Sequence, residues 1–150
     1  MRASLLRAYR ETTYETTCYE TTGYGTARYE TAGYETGDIV VRIGRRVPAM
    51  DKLLSSAGAK QAVFITAYNP FSRVMPPGWN NRMQARLAEA LRRYPLLPAR
   101  GHYRDWSERH LLALADVRVM RRLARRFRQN AIVIVRWRQP VRLLVTSSLM

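Results

Sequence analysis

Six segments of the chain carry the apolar patterns of β-strands: 39–43, 61–68, 99–104, 110–115, 131–137 and 141–146. The second is a continuous apolar run of strand length, which predicts a central strand covered on both faces. The third is weaker and is expected to lie at an edge of the sheet. Arg138-Gln-Pro140 separates the last two strands and predicts a hairpin.

Three further segments repeat apolar residues at helical spacing. The first helix is predicted from Pro48 to a stop near Gly58, because proline suits a first turn and glycine follows helix ends. Asn80 or Asn81 is expected to cap the second helix, after an irregular segment from Asn69 to Trp79. Asp116 is expected to cap the third. The order of elements predicts a single α+β domain with a mixed sheet of about five or six strands and about three helices mainly on one face.

The amino-terminal region contains a repeat of a different kind. Tyrosine recurs every five residues from Tyr9 to Tyr34 within Glu-Thr-Thr-x-Tyr units. Because a period of five matches neither the strand period nor the helix period, no face can collect all of these tyrosines. We interpret residues 15–34 as a low-complexity insertion in a loop, with residues 1–14 beginning the domain and residues 35–150 forming its main body. A tyrosine-rich adhesive or stacking segment is the alternative.

Charge is distributed unevenly along the 150 residues. Residues 1–38 carry a net charge of −2, whereas residues 39–150 carry +17. Lys52 and Lys60 are lysines and every other basic residue is arginine, whose planar fork suits phosphate and carboxylate groups. A positive field attracts nucleic acid, an anionic ligand or an acidic protein, although it does not specify one.

Other classes of protein are disfavoured. No apolar run approaches the length of a membrane-spanning helix, so we expect a cytoplasmic protein without membrane contact. One cysteine, Cys18, and two histidines offer no disulfide and no metal-ligand spacing, and we expect no metal and no cofactor. Phosphate-binding glycine loops and nucleophile elbows are also missing. The sequence does not decide the oligomeric state.

Several polar clusters carry a resemblance to a known family. They are Thr66-Ala-Tyr-Asn-Pro70 with Ser72, the Asn80-Asn81 pair, Trp106-Ser-Glu108 and Phe127-Arg-Gln-Asn-Ala131, together with Leu5-Leu-Arg-Ala-Tyr9 and Val41-Arg-Ile-Gly44. The chain resembles the bacterial domain of unknown function 3293 family over nearly all of its length except the repeat. Arg128 is a departure, since the resemblance implies a small residue there, commonly glycine. The family implies no activity.

The same clusters supply the candidate site. We predict ligand contacts from Thr66, Asn69, Ser72, Asn80, Trp106, Gln129 and Asn130. Glu108 is the candidate catalytic residue, because carboxylates are scarce in the body of the chain and one beside Trp106 is expected to be partly desolvated. Arg73 or Arg82 would clamp an anion. Structural alternatives remain open, with Asn69 as a turn residue, Asn80 as a helix cap and Gln129-Asn130 as a helix end.

Two functions from different classes follow. The first is a binding module that holds an anionic partner or a small polar ligand. It would use either the polar clusters or an anion-binding surface on the third helix, formed by Arg118, Arg121, Arg122 and Arg125. The second is a small enzyme in which Glu108 is the general acid or base and Asn69, Gln129 and Asn130 orient the substrate.

Overall fold

A computed structural model describes residues 2–17 and 38–147 of the chain. Within these ranges the fold is α+β, as predicted, and contains seven strands and four α-helices rather than five or six strands and three helices. The helices are α1 (Ala3–Glu11), α2 (Pro48–Ser56), α3 (Pro77–Ala90) and α4 (Val117–Arg126). The strands are β1 (Thr13–Thr17), β2 (Asp38–Val41), β3 (Gln61–Ile65), β4 (Leu96–Tyr103), β5 (Trp106–Ala113), β6 (Ala131–Arg136) and β7 (Arg142–Val145).

The strands form one sheet in the order β2-β1-β4-β5-β3-β6-β7. Every strand pairing among the described residues is antiparallel, so the prediction of a mixed sheet was wrong. The apolar run in β3 does lie inside the sheet between β5 and β6, and its residues from Ala62 to Ile65 are buried. The predicted hairpin of β6 and β7 is also present, with Arg138 at a φ of +59° in the turn.

The segment predicted as an edge strand is internal, which corrects the sequence reading. β4 pairs with β1 on one side and with β5 on the other. Pro98 is tolerated inside the sheet because the ladder with β1 begins only at Ala99, so no partner on that side needs an N–H group from the proline. The Pro98 carbonyl instead accepts the Thr16 hydroxyl at 2.9 Å.

Successive side chains along each strand point to opposite faces of the sheet, and both faces are apolar. One face packs against α3 and α4 through residues such as Leu87, Leu91 and Met120. The other packs against α2, whose Met50, Leu53 and Leu54 are completely buried. Helices therefore cover both faces of the sheet instead of mainly one.

The amino-terminal helix α1 differs from the other helices because none of its residues is buried. It leads directly into β1, in which Tyr14 and Thr16 are buried. β1 pairs with β2 from Tyr14↔Val41 to Thr17↔Asp38, so the first residues of the predicted insertion belong to a strand. The remainder of the repeat, including Cys18, lies outside the described residues.

Candidate functional site

A cavity of about 250 Å³ lies beneath α1. Its floor is the sheet face that α2 covers elsewhere, and one wall is the segment that follows β3. The described residues that line it are Leu5, Ala8, Tyr9, Thr12, Tyr68, Asn69, Ser72, Val74, Tyr103, Trp106, Glu108 and Gln129. A small cavity with mostly apolar walls and a few convergent polar groups is typical of a ligand site.

Asn69 organises the polar side of the cavity. Its Nδ2 donates to Glu108 Oε1 at 2.7 Å, while its Oδ1 accepts the Met75 N–H and Asn80 Nδ2, each at 2.9 Å. The Asn69 N–H donates in turn to Asn80 Oδ1 at 2.9 Å. The side chain therefore links the carboxylate to the loop and to helix α3, which fixes its amide orientation.

The backbone around Asn69 is strained. Asn69, Phe71 and Ser72 have φ angles of +46°, +50° and +61°, in the left-handed region that residues with a side chain rarely adopt. The Phe71 N–H donates to the Arg128 carbonyl at 2.6 Å, and Arg128 itself has a φ of +56°. Left-handed residues concentrated in one place are typical of functional sites, where the surrounding structure holds the strain.

The conformation of Arg128 bears on the departure noted in the sequence. The resemblance implies a small residue at this position, commonly glycine, and a left-handed residue is where glycine is favoured. Here an arginine with an exposed side chain adopts the left-handed conformation and approaches Phe71 closely.

Glu108 is the charged side chain of the cavity. It is 7% exposed, and burial raises its pKa to about 7, while the hydrogen bond from Asn69 acts in the opposite direction. No arginine or lysine is found among the described residues that line the cavity. Near neutral pH the carboxyl group is therefore divided between its protonated and ionised forms.

The titratable groups packed around Glu108 are neutral in the same pH range. Burial raises the pKa of Tyr9 to about 12 and raises that of Tyr14 still further. Burial lowers the pKa of His110 to about 4, against a backbone hydrogen bond to the Glu108 carbonyl at 3.2 Å. Glu108 is thus the group in this cluster whose charge changes near neutral pH.

Most sequence-predicted site residues gather here, in two roles. Asn69, Ser72, Trp106, Glu108 and Gln129 line the cavity. The others support it: Asn80 holds Asn69, Asn130 Nδ2 donates to Ser72 Oγ at 2.9 Å, and Thr66 Oγ1 donates to the Arg109 carbonyl at 2.6 Å.

The expectation that Asn80 or Asn81 caps α3 was wrong. The helix begins at Pro77, with Pro76 at the cap position. Proline suits the first helical turn because its missing N–H would lack a partner there in any case. Asn80 is buried inside the first turns of α3, which is why its amide is available to Asn69.

The arginines lie elsewhere. Arg73 and Arg82 are exposed and do not line the cavity, so the described structure gives no support to an anion clamp there. Arg118, Arg121, Arg122 and Arg125 are exposed on α4, which packs on the opposite sheet face. Arg125 is partly engaged, since its Nε donates to the Thr146 carbonyl at 3.1 Å.

Sequence reasoning predicted Trp106 but missed the tyrosines of the site. Tyr9, Tyr68 and Tyr103 line the cavity, and Tyr14 lies beneath it. Tyr9 and Tyr14 were obscured because they share the spacing of the repeat, although one lies in a helix and the other in a strand.

Two classes of feature are missing from the described residues. No group of three potential metal ligands lies together in residues 2–17 and 38–147. No helix in the same part of the chain is long and apolar enough to cross a membrane.

The comparisons with known proteins agree with the resemblance in the sequence. A family described as a protein of unknown function (DUF3293) matches residues 65–132, so the chain is similar to that family over this range. The match includes the strained loop, Trp106, Glu108 and the Gln129-Asn130 pair, but of β3 only its last residue, Ile65, and nothing of α1. No curated protein and no solved structure matches the chain.

Proposed function

We propose that this protein binds a small polar ligand in the cavity beneath α1, with Glu108 as its polar anchor. The observation that carries the proposal is a carboxylate that is 7% exposed and bonded by Asn69 at 2.7 Å inside a cavity with aromatic walls. Burying an ionisable group without a counter-charge is unfavourable. Buried ionisable groups with shifted pKa values are found beside cavities more often at functional sites than elsewhere in a protein.

The residues around the cavity are also held by more specific backbone and hydrogen-bond interactions than packing alone requires. Three left-handed residues and the Asn69–Asn80 pair fix one wall, and Asn130 fixes Ser72 from the start of β6. Such preorganisation lowers the entropy cost of binding, because the contacting groups are already ordered before the ligand arrives.

A blocking substitution tests the proposal. Ala8 lines the cavity from α1, so Ala8→Trp is expected to fill it, whereas Ser4→Trp adds the same ring at an exposed position of the same helix. A set of small cationic, neutral and anionic organic fragments is titrated while the indole N–H signal of Trp106 is followed by NMR. Saturable shifts that persist in Ser4→Trp and disappear in Ala8→Trp support the proposal. Fragments that bind both variants equally, or no binding at all, contradict it.

A small enzyme is the second candidate, and the pKa of Glu108 favours it. A group with a pKa of about 7 can both accept and donate a proton near neutral pH, which suits general acid or base catalysis. Asn69 would hold the carboxylate and Gln129 would orient the substrate, while Asn130 would act indirectly through Ser72. If Glu108→Gln retains ligand binding and loses turnover of that ligand, the enzyme is favoured over the binding module.

For an anionic partner, such as nucleic acid or an acidic protein, we propose the outer face of α4 instead of the cavity. Four exposed arginines on one helix would give a binding constant that falls steeply with salt. Replacing these four arginines with glutamine is expected to abolish binding of a short oligonucleotide and to reduce the salt dependence. Unchanged binding would eliminate this surface.

A further inference from the structure

Most N–H and O–H donors among the polar side chains of the cavity already form hydrogen bonds within the protein. Both N–H bonds of the Gln129 amide are engaged, because Nε2 donates to the Tyr68 carbonyl at 3.0 Å and to the Phe127 carbonyl at 3.2 Å. The Tyr68 hydroxyl donates to Asn81 Oδ1 at 2.9 Å, and the Tyr103 hydroxyl donates to Glu11 Oε2 at 3.1 Å. What these side chains still offer a ligand is acceptor oxygen.

Glu108 adds the charged acceptor. Asn69 donates a hydrogen bond to Oε1, and no other side chain contributes a hydrogen bond to the pKa of this carboxyl group. The second oxygen, Oε2, therefore remains to receive a ligand. A carboxylate has only acceptor sites when ionised. The neutral side-chain donors that the described lining retains are the second Nδ2 hydrogen of Asn69, the Trp106 indole N–H and the hydroxyl pair of Tyr9 with Ser72.

The walls favour positive charge for a second reason. Four aromatic side chains line the cavity, those of Tyr9, Tyr68, Tyr103 and Trp106, and the Tyr103 ring already contacts Arg104. The faces of such rings carry partial negative charge and attract an ammonium group, most strongly where water is excluded. An anion would instead meet a carboxylate with no basic side chain among the described lining residues.

We propose that the cavity beneath α1 selects a compact organic cation, a protonated amine that donates N–H to the free oxygen of Glu108 and to Gln129 Oε1 while the aromatic rings surround its alkyl part. This inference rests on the proposed function and names its ligand class. The volume of about 250 Å³ restricts the ligand to a small amine.

The assignment holds although the chain carries a net charge of +15. Surface arginines act through solvent and are screened within about 8 Å at physiological ionic strength, whereas a buried carboxylate acts at contact. At the lining residue Tyr103, Arg104 lies over the ring at 5.1 Å from its centroid, and Glu11 accepts the hydroxyl hydrogen. These two opposite charges contact the same side chain.

Binding of a cation should depend on pH. The titratable groups that face Glu108 are Tyr9 from α1, Tyr14 from β1, His110 from β5, and Tyr68 and Tyr103 from the surrounding loops and strands. Burial keeps Tyr9 and Tyr14 protonated and His110 neutral near pH 7. Since Glu108 must ionise to pair with an ammonium group, affinity is expected to rise through pH 7 and then level off.

Three probes of matched size test the charge preference. They are n-butylammonium, n-butanol and butyrate, titrated into the full chain at physiological salt while the Trp106 indole signal is followed by NMR. Wild type is expected to bind n-butylammonium at least tenfold more tightly than either of the others. Glu108→Gln, in which the side-chain oxygen still accepts the Asn69 amide, is expected to reduce this affinity at least tenfold and to remove its pH dependence.

The alternatives are distinguishable. If n-butanol or butyrate binds as tightly as n-butylammonium and Ala8→Trp blocks that binding, the cation assignment is overturned while the ligand cavity stands. If Glu108→Gln is folded and binds n-butylammonium as wild type does, the assigned anchor is wrong. If none of the three binds, the cation assignment fails, and the wider fragment set decides whether any ligand cavity exists.

Discussion

Helices α1 and α2 cover two parts of the same sheet face, yet they do so differently. α2 buries Met50, Leu53 and Leu54 completely against apolar strand residues, whereas α1 buries none of its residues. Along β5 the side chains on this face change from Leu112, under the α2 end, to His110 and Glu108, under the α1 end. The first region is a packed core and the second encloses a cavity, so the α1 end has the features of a binding site.

Matched leucine truncations should separate the two regions most strongly. Leu53 is 0% exposed on α2, so Leu53→Ala is expected to lower the free energy of unfolding by about 3–5 kcal/mol. Leu5, on α1, already borders a cavity and is half-buried, and Leu5→Ala should cost about 1 kcal/mol or less. Urea denaturation of both variants measures the difference, and equal losses would show that α1 packs as tightly as α2.

A second prediction uses the opposed titrations of Glu108 and His110. The raised pKa of Glu108 stabilises the fold at low pH, and this contribution is lost as pH rises from about 4.5 to 7. The lowered pKa of His110 stabilises the fold above about 6.5, and this contribution is lost as pH falls to 4. Each amounts to about 3 kcal/mol, so together they should nearly cancel between pH 4.5 and 6.5.

Glu108→Gln removes one of these two titrations and reveals the other. Its stability relative to wild type is expected to rise with pH across this interval by about 3 kcal/mol, as seen in urea unfolding at several pH values. The double variant Glu108→Gln with His110→Gln serves as the control and should lose that slope. A Glu108→Gln variant that follows wild type at every pH would mean that the carboxyl group is not desolvated.

The hydrogen bonds of Asn69 give a smaller effect. Asn69→Ala removes the bonds to Glu108, Met75 and Asn80 and should cost about 2–3 kcal/mol. Asn69→Gly loses the same bonds but accepts the φ of +46° more easily, so it should be about 1 kcal/mol more stable than the alanine variant. Ser107→Ala, at an exposed position next to Glu108 in β5, is the control and should change stability by about 0.5 kcal/mol or less.

The smallest effect is expected at Arg128. Its φ of +56° favours glycine, so Arg128→Gly should be more stable than Arg128→Ala by about 1 kcal/mol in thermal unfolding. Both variants keep the carbonyl that accepts the Phe71 N–H. If the alanine variant proves the more stable one, the backbone here is not held in the left-handed conformation.

The sequence predicted the elements whose signals are local. The apolar run of β3, the hairpin of β6 and β7 and the capping of α4 by Asp116, which accepts the Arg118 N–H at 2.7 Å, were all anticipated. The internal position of β4 was not, because its pairing with β1 is set by a part of the chain far away in sequence.

The polar clusters that the sequence predicts as a candidate site meet because of the antiparallel pairing. Ligands often bind at strand ends in sheets with parallel strands, but the pairings here are antiparallel. Asn69 and Gln129 converge instead because β3 ends where β6 begins, as antiparallel neighbours do. The role of helix α1 as a wall of the cavity could not be predicted. Its packing depends on β1, the strand that follows it, and on Tyr9, which shares the spacing of the repeat.

The pKa of the Glu108 carboxyl group tests the central claim most directly. It can be measured by following the side-chain ¹³C carboxyl signals of the glutamates through a pH titration, with Glu108→Gln assigning the signal. The burial of Glu108 beside the cavity predicts a pKa of about 7, falling when n-butylammonium is bound. A value near the ordinary 4.5 would mean that water reaches the carboxylate freely, and that the α1 end of the sheet holds no desolvated anchor.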